Sequence, residues 1–161
     1  MPERPAPRPG LAVSPSRPQS YLSFDFGTRR VGVATGNSLM GLAQPLKTLS
    51  VEGDARFAAI ADLIRQWQPS ALVVGVPFHP DGAAHDNTRR AQRFARQLHG
   101  RFRLPVHEVD ERYTTTEALA AGAPDADAAA AALILEQFLR SAAATDEPST
   151  STMQDPAHAA A

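Results

Sequence analysis

The alternation of apolar and polar residues near the start of the chain predicts a β-hairpin. Two apolar segments, residues 21–26 and 30–35, are separated by only three residues, among them Gly27. Strands joined so closely form a hairpin, and glycine supplies the positive φ angle that such a turn needs. Counting with the strand period of two places Asp25 on the same face as Ser23 and opposite the phenylalanines beside it. Asp25 is therefore an ionisable residue in a segment that otherwise has the pattern of a buried strand.

The next part of the chain predicts two more strands with a helix between them. Residues 41–49 have the pattern of a strand, and Pro45 favours an edge position or an irregular start for it, because proline cannot donate a ladder hydrogen bond. Apolar residues at helical spacing follow Asp54, the expected N-cap, and stop before Pro69. The continuous apolar run at residues 71–76 is typical of a parallel strand that is covered on both faces.

The second half of the chain predicts a continued alternation of helices and strands. Its elements are a helix over 86–99 ended by Gly100, a strand over 104–110, a short helix over 115–121 opened by a Thr114–Glu117 capping box, and a last helix over 125–140. The whole succession predicts one α/β domain with a mixed sheet, antiparallel at its start and parallel in the remainder. Helices cover both faces of this sheet, which matches the ribonuclease-H-like arrangement.

The length of 161 residues suits a single domain, but the two ends of the chain differ from the middle in composition. Residues 1–20 are rich in proline and arginine, and residues 141–161 consist mainly of small and polar residues. Neither end can bury enough apolar surface to offset the entropy of ordering. We therefore expect two disordered tails around a folded domain at residues 21–140, which is long enough to form one sizeable core.

Several features favour a cytoplasmic protein without a membrane partner. The chain has no cysteine, which excludes a disulfide framework and a thiol nucleophile and is compatible with the reducing cytosol. The N-terminus lacks the apolar segment of a signal peptide. The longest apolar run, residues 128–135, is far shorter than the roughly 18–20 residues that cross a bilayer.

The net charge of −1 conceals a basic segment. Residues 88–105 contain six arginines and no acidic residue. Three of these arginines share one solvent-facing stripe of the predicted helix, which suits binding to nucleic-acid phosphates without reading the base sequence. Together with two arginines close to the candidate acids described next, the predicted nucleic-acid-binding residues are Arg30, Arg89, Arg93, Arg96 and Arg112.

Two further acidic residues occupy positions comparable to that of Asp25. Glu111 follows the last predicted strand, at the carboxyl end where parallel sheets bind their ligands, and Asp127 lies on the core-facing stripe of the last helix. Each acid also has a simpler interpretation, as a turn residue, a surface ion pair or a partner of the helix dipole, respectively. Three carboxylates at one sheet edge repel one another unless divalent cations compensate. Mg²⁺ prefers such oxygen ligands, and a pair of bound ions would activate the water that attacks a phosphodiester.

Four motifs follow one another along the chain. They are Asp25-Phe-Gly-Thr-Arg-Arg-Val-Gly-Val-Ala34, Val74-Gly-Val-Pro77 with Asp81-Gly82, Asp110-Glu-Arg-Tyr-Thr-Thr115, and Asp127 with Leu133-Ile-Leu-Glu136. This set resembles the YqgF/RuvX family over essentially all of residues 21–140. The resemblance implies a Holliday-junction-resolvase-like, ribonuclease-H-type fold and a nuclease that processes the 5′ end of precursor 16S ribosomal RNA with Mg²⁺ or Mn²⁺. It also implies that the catalytic, metal-binding acids are Asp25, Glu111 and Asp127.

Three other functions match parts of this sequence. The segment at residues 25–28 also resembles the phosphate-binding hairpin of the actin, hexokinase and heat-shock ATPases, but those proteins need two such domains and more than double this length. A non-catalytic nucleic-acid-binding scaffold on the same fold would gain nothing from clustered acids. Within the nuclease class, the resolution of branched DNA junctions competes with RNA processing. The expected partner is therefore structured RNA or branched DNA, bound by a monomer or a homodimer.

Overall fold

The computed structural model describes residues 18–113 and 119–146, which form a five-stranded sheet with helices packed on it. In chain order the elements are β1 (Ser20–Phe26), β2 (Val31–Asn37), β3 (Ala43–Leu49), α1 (Gly53–Trp67), β4 (Ala71–Val76), α2 (Asp86–Phe102), β5 (Val106–Asp110), a short 3₁₀ turn (Glu111–Tyr113) and α3 (Ala126–Asp146).

The strand order confirms the predicted mixed sheet. The strands lie side by side in the order β3-β2-β1-β4-β5. β1 pairs antiparallel with β2, and β2 pairs antiparallel with β3, whereas β4 runs parallel to both β1 and β5. β3 is an edge strand, as Pro45 predicts, and the register of its pairing with β2 shifts between Val33 and Ala34. This is the ribonuclease-H-like arrangement.

Helices cover both faces of the sheet, because strand side chains alternate between an apolar cluster beneath α1 and α2 and the apolar clusters beneath α3. Phe24 of β1 packs in the cluster beneath α1 and α2, where its ring lies edge-on to Phe94 at a centroid distance of 5.9 Å. Tyr21 of the same strand belongs to the cluster beneath α3, and its ring meets Phe138 at 5.1 Å. The central strands are therefore buried on both sides, which explains the continuous apolar run of β4.

Three helix boundaries differ from the sequence prediction. α1 has Glu52 rather than Asp54 at its N-cap, and Asp54 lies in the first turn. α2 does not end at Gly100 but continues to Phe102, and Arg103 takes the left-handed conformation that closes the helix (φ 58°). Its backbone N–H donates to the carbonyl of His99 at 2.9 Å, so the terminal turn is satisfied without glycine. α3 ends at Asp146 rather than at residue 140.

Some predictions fall outside the described residues. They concern the Thr114–Glu117 capping box, most of the short helix after it, and most of both predicted tails. Within the described ranges, no helix combines the length and the apolar character that crossing a bilayer requires.

Candidate functional site

Asp25 lies near the carboxyl end of β1, on the face of the sheet that α3 covers. Two residues earlier on the same face, the buried Ser23 hydroxyl donates a hydrogen bond to the carbonyl oxygen of Ala131 in α3 at 2.8 Å. The strand period of two therefore turns the half-buried Asp25 side chain towards the start of α3 as well. The structure thus confirms the strand face that the sequence predicts for Asp25.

Gly32 stands directly opposite Asp25 in the antiparallel pairing of β1 and β2. A Cβ atom on Gly32 would lie 1.9 Å from the carbonyl oxygen of Asp127 and 2.8 Å from the backbone nitrogen of Ala128. No side chain fits into that space, so the first turn of α3 rests on the bare backbone of β2. Gly32 thereby lets Asp127 approach the strand neighbour of Asp25.

On the other side of Asp25, Gly75 leaves room for another of the predicted acids. The parallel pairing of β1 with β4 matches Phe24 with Val74, and the next step of that register places Gly75 beside Asp25. A Cβ atom on Gly75 would lie only 3.0 Å from the carboxylate Oε2 of Glu111. Glu111 therefore occupies the space that a larger residue at position 75 would fill. The three predicted acids thus approach the same edge of the sheet, the one at which β1 and β4 end. Asp25 lies there between two glycines.

The side chain of Asp127 is engaged by an arginine. Its Oδ2 forms an ion pair with Nε of Arg30 at a distance of 2.9 Å. The Asp127 side chain is 34% exposed and the Arg30 side chain is 65% exposed. Among the described residues, no three acidic, histidine or cysteine side chains lie close enough together to hold one metal ion. The fold thus brings the three acids to the same edge, but with Asp127 turned to Arg30 their carboxylates do not form one ligand cluster.

The start of α3 is fixed by Asp125, which acts as its cap. The Asp125 Oδ1 accepts a hydrogen bond from the backbone N–H of Ala128 at 3.1 Å and another from the hydroxyl of Thr48 in β3. Farther along α3, the carboxylate of Glu136 accepts from the backbone N–H of Ala43 at 3.1 Å. Both contacts hold α3 against the edge strand, so they determine where Asp127 lies.

Arg112 is held at the same edge by Asp110. Its Nη2 lies 2.7 Å from Oδ2 of Asp110, and its backbone N–H donates to Oδ1 of the same carboxylate at 2.9 Å. These hydrogen bonds keep the pKa of Asp110 below its usual value. The guanidinium also lies 5.7 Å from the centre of the Phe78 ring, beside Gly82. Arg112, which follows Glu111 in the chain, is therefore held in a fixed position by its ion pair with Asp110.

The arginine stripe of α2 is less uniform than the sequence suggests. Arg89 forms an ion pair with Asp86 at 2.9 Å, one turn before it on the helix. Arg93 lines a cleft towards α1, whereas Arg96 lines a different cleft towards β5. The three side chains are exposed as predicted, but they face different surroundings.

The roles of three residues near the end of β1 were not predicted from the sequence. Gly32 and Gly75 are isolated glycines within strand patterns, which is a known sign of a close backbone approach. Arg56 is 5% exposed, on the buried side of α1. The sequence signal for Arg56 was its position four residues before the core residue Ile60, which puts it on the apolar stripe of the helix. A charged residue on such a stripe needs fixed partners.

The chain is similar in sequence to a known family and to named proteins. The family described as "RuvX: Holliday junction resolvase" matches residues 19–141. A protein of Albidiferax ferrireducens named "Putative pre-16S rRNA nuclease" is 69% identical over 123 residues, which cover 76% of this chain and 79% of that protein. A protein of Paraburkholderia phytofirmans with the same name is 49% identical over 136 residues, covering 80% of this chain and 93% of that protein. Among solved structures, RuvC of Thermus thermophilus in complex with a Holliday junction substrate covers 76% of this chain and 95% of its own, at 16% identity and a TM-score of 0.48.

Proposed function

Since the chain belongs to the family described as RuvX Holliday junction resolvases, we propose that it is a metal-dependent nuclease that processes the 5′ end of precursor 16S ribosomal RNA. The observation that carries this proposal is the position of Asp25 between Gly32 and Gly75. Those two glycines admit the backbone of Asp127 on one side and the carboxylate of Glu111 on the other. The names of highly identical relatives support the RNA substrate.

The donor set of this edge fits a hard divalent cation. Its candidate ligands are carboxylate oxygens, which suit Mg²⁺ and Mn²⁺. Asp25 and Glu111 would hold the ion, and Asp127 would join them once it is released from Arg30. When bound, such ions supply an activated water and stabilise the leaving oxygen of the phosphodiester.

The arginines of the chain would bind and orient the RNA. Arg112 is fixed by Asp110 beside Glu111, so its guanidinium is already ordered before a phosphate arrives. Arg30 is largely exposed at the same edge and can exchange the carboxylate of Asp127 for a phosphate oxygen, since both are oxyanions that suit a guanidinium. The α2 residues Arg89, Arg93 and Arg96 would add backbone contacts that do not depend on the base sequence.

A second candidate function is the resolution of branched DNA junctions, which the description of the matching family favours. The same acids and arginines would serve it, because phosphodiester hydrolysis needs the same groups in RNA and DNA. We further propose that the protein works in the cytoplasm as a monomer or a homodimer. The absence of cysteine and of a membrane-spanning helix within the described ranges is compatible with this location.

The test compares the two substrates directly. Purified protein is incubated with a structured RNA that mimics the 5′ end of precursor 16S rRNA, and separately with a four-way DNA junction. We expect cleavage of the RNA with Mg²⁺ or Mn²⁺ and poor cleavage with Ca²⁺, because the larger ion tolerates irregular coordination and holds the attacking water less tightly. Cleavage of the junction alone would replace RNA processing by junction resolution. Binding of RNA with cleavage of neither substrate would support the scaffold interpretation.

A further inference from the structure

A basic cleft opens between α1 and α2, on the opposite face of the sheet from Asp25. It has a volume of about 260 Å³, and its lining includes Arg56, Arg90, Arg93 and Gln97 above the ring of Phe26. Of the described residues that line it, none is acidic. A surface cleft with three guanidinium groups and no carboxylate in its wall favours an anionic ligand.

Arg56 gives this cleft a preorganised cation. Its side chain is almost completely buried, and its Nε and Nη2 donate hydrogen bonds to the carbonyl oxygens of Val51 and Thr28 at 3.0 Å and 3.1 Å. The guanidinium carbon lies 5.6 Å from the centre of the Phe26 ring. Burial lowers the pKa of Arg56, and the nearby charge of Glu52 acts in the opposite direction. The hydrogen bonds of Nε and Nη2 go to neutral backbone groups, so a bound anion would improve the environment of this largely buried charge.

Arg90 and Arg93 differ in their partners from the other arginines of the same helix. Arg90 donates to the neutral side-chain oxygen of Asn87 at 3.2 Å. Within the described part of the chain, neither Arg90 nor Arg93 forms an ion pair, whereas Arg89 and Arg101 each contact an aspartate. Their guanidinium groups can therefore bind an anion without first giving up a carboxylate.

The cleft lies close to the candidate active site along the chain. Phe26, which lies in its lining, directly follows Asp25 at the end of β1, and the two side chains point to opposite faces of the sheet. Thr28, which accepts from Arg56, lies in the turn after β1. The cleft and the candidate active site therefore lie at the same end of β1, on opposite faces of the sheet.

We propose that the cleft of Arg56, Arg90 and Arg93 binds one backbone phosphate of the substrate strand, a few nucleotides from the bond that is cut. This proposal rests on the nuclease function proposed above. Arginine suits the role because its planar fork makes two parallel hydrogen bonds to phosphate oxygens. The site would set which bond reaches Asp25, because it fixes the strand at a second point.

The test measures how protein variants bind RNAs in which a single backbone phosphate has been made neutral. The RNA mimic is prepared with one uncharged methylphosphonate linkage at a time, and its binding is measured by fluorescence anisotropy with Asp25→Asn protein, which we expect to leave the RNA intact. We expect one linkage near the cleavage position to weaken binding by roughly tenfold or more, the scale of a lost charge-assisted hydrogen bond. In the Arg90→Gln/Arg93→Gln variant the same linkage should have almost no further effect, because its partners are already gone.

A matched control removes two arginines at the other end of the molecule. Arg65 and Arg140 are exposed, and Arg65→Gln/Arg140→Gln lowers the net charge by the same amount. This control should keep the full effect of the sensitive linkage. A linkage effect that stays the same in both double variants at every position would overturn the proposal, because the arginines would then act only as diffuse charge. An unchanged melting temperature shows that the variants are folded.

This outcome is separable from that of the nuclease proposal. If the wild-type chain cleaves RNA but the linkage effects are simply additive, the phosphate site is wrong and the nuclease function stands. If the coupling is present but the wild-type chain cleaves neither RNA nor DNA junctions, the binding site stands and the nuclease function is wrong.

Discussion

Nε of Arg30 and Oδ2 of Asp127 lie 2.9 Å apart, so a residue predicted to bind nucleic acid holds a residue predicted to bind metal. The pair joins the start of β2 to the first turn of α3, next to the contact between Gly32 and the Asp127 backbone. It also compensates one of three negative charges that approach the same edge. Oδ2 of Asp127 can act as a metal ligand only when it leaves Arg30.

The first prediction concerns this ion pair. Replacing Arg30 by glutamine frees the carboxylate of Asp127, so we expect Mn²⁺ to bind severalfold more tightly in calorimetric titrations without RNA. The loss of folding stability should stay below about 1 kcal/mol, because the arginine is largely exposed and such pairs contribute little. Arg29→Gln removes the same charge from the exposed neighbouring position and should change metal affinity less. Equal metal affinity in both variants would show that Arg30 does not compete with the ion.

The second prediction concerns the glycine beneath Glu111. In Gly75→Ala the new Cβ would lie 2.4 Å from Cδ1 of Ile134 and 3.0 Å from Oε2 of Glu111, so both side chains must move. We expect a destabilisation of about 1–3 kcal/mol from overpacking and a larger loss of cleavage than unfolding explains. The measurements are urea unfolding and the cleavage rate at a temperature where the variant is folded.

Gly100→Ala is the matched control for that substitution. Gly100 lies within α2, and a Cβ there would meet nothing within 4 Å. Alanine at this position should stabilise the protein by about 0.5–1 kcal/mol through its higher helix propensity and leave cleavage unchanged. If Gly75→Ala cleaved RNA as fast as Gly100→Ala, the position of Glu111 would not matter for activity.

The third prediction concerns pH. The ring of His107 packs on Phe138 at a centroid distance of 4.9 Å, and the partial burial of this otherwise exposed residue lowers its pKa. As the pH falls below the unfolded value of about 6.5, the unfolded chain takes up a proton before the folded chain does, so stability decreases. His107→Phe keeps a ring against Phe138 and removes the titration. Urea unfolding at about pH 7.5 and about pH 5.5 should show a smaller decrease for the variant than for the wild type; an equal decrease would contradict this account.

The sequence predicts those parts of the site that local periodicity determines. The period of two places Asp25 on the correct face of β1, and Pro45 identifies the edge strand, because both signals depend only on neighbouring residues. The contact between Gly32 and the Asp127 backbone depends on how α3 docks across the sheet, over almost a hundred positions of chain. The order of the motifs predicts that the three acids lie near one another. It does not predict that the Asp127 side chain pairs with Arg30.

The end of α2 and the burial of Arg56 also depend on contacts that the local sequence pattern does not predict. Gly100 is a common stop signal, yet α2 passes through it because Arg103 can close the helix with a hydrogen bond to His99. Arg56 stands on an apolar stripe, and only the folded loops supply the two carbonyl oxygens that make its burial tolerable. Such partners are distant in sequence or set by loop shape, so periodicity does not reveal them.

The central claim is that Asp25 holds the metal that cleaves the substrate, and Asp25→Asn tests it most directly. Asparagine keeps the size and hydrogen-bonding capacity of the side chain and removes one ligand charge. The control is Asp62→Asn, which removes an exposed acid of α1 that pairs with Arg65. Cleavage of the RNA mimic in Mg²⁺ and thermal unfolding without metal are measured for the wild type and both variants.

We expect the cleavage rate of Asp25→Asn to fall by roughly two orders of magnitude or more, the scale of losing a group that stabilises the transition state. Its melting temperature without metal should equal or exceed that of the wild type, because repulsion among the carboxylates is relieved. Asp62→Asn should cleave like the wild type. Full metal-dependent cleavage by Asp25→Asn would contradict the account, as would a variant that is simply unfolded, since Asp25 would then be a structural turn residue.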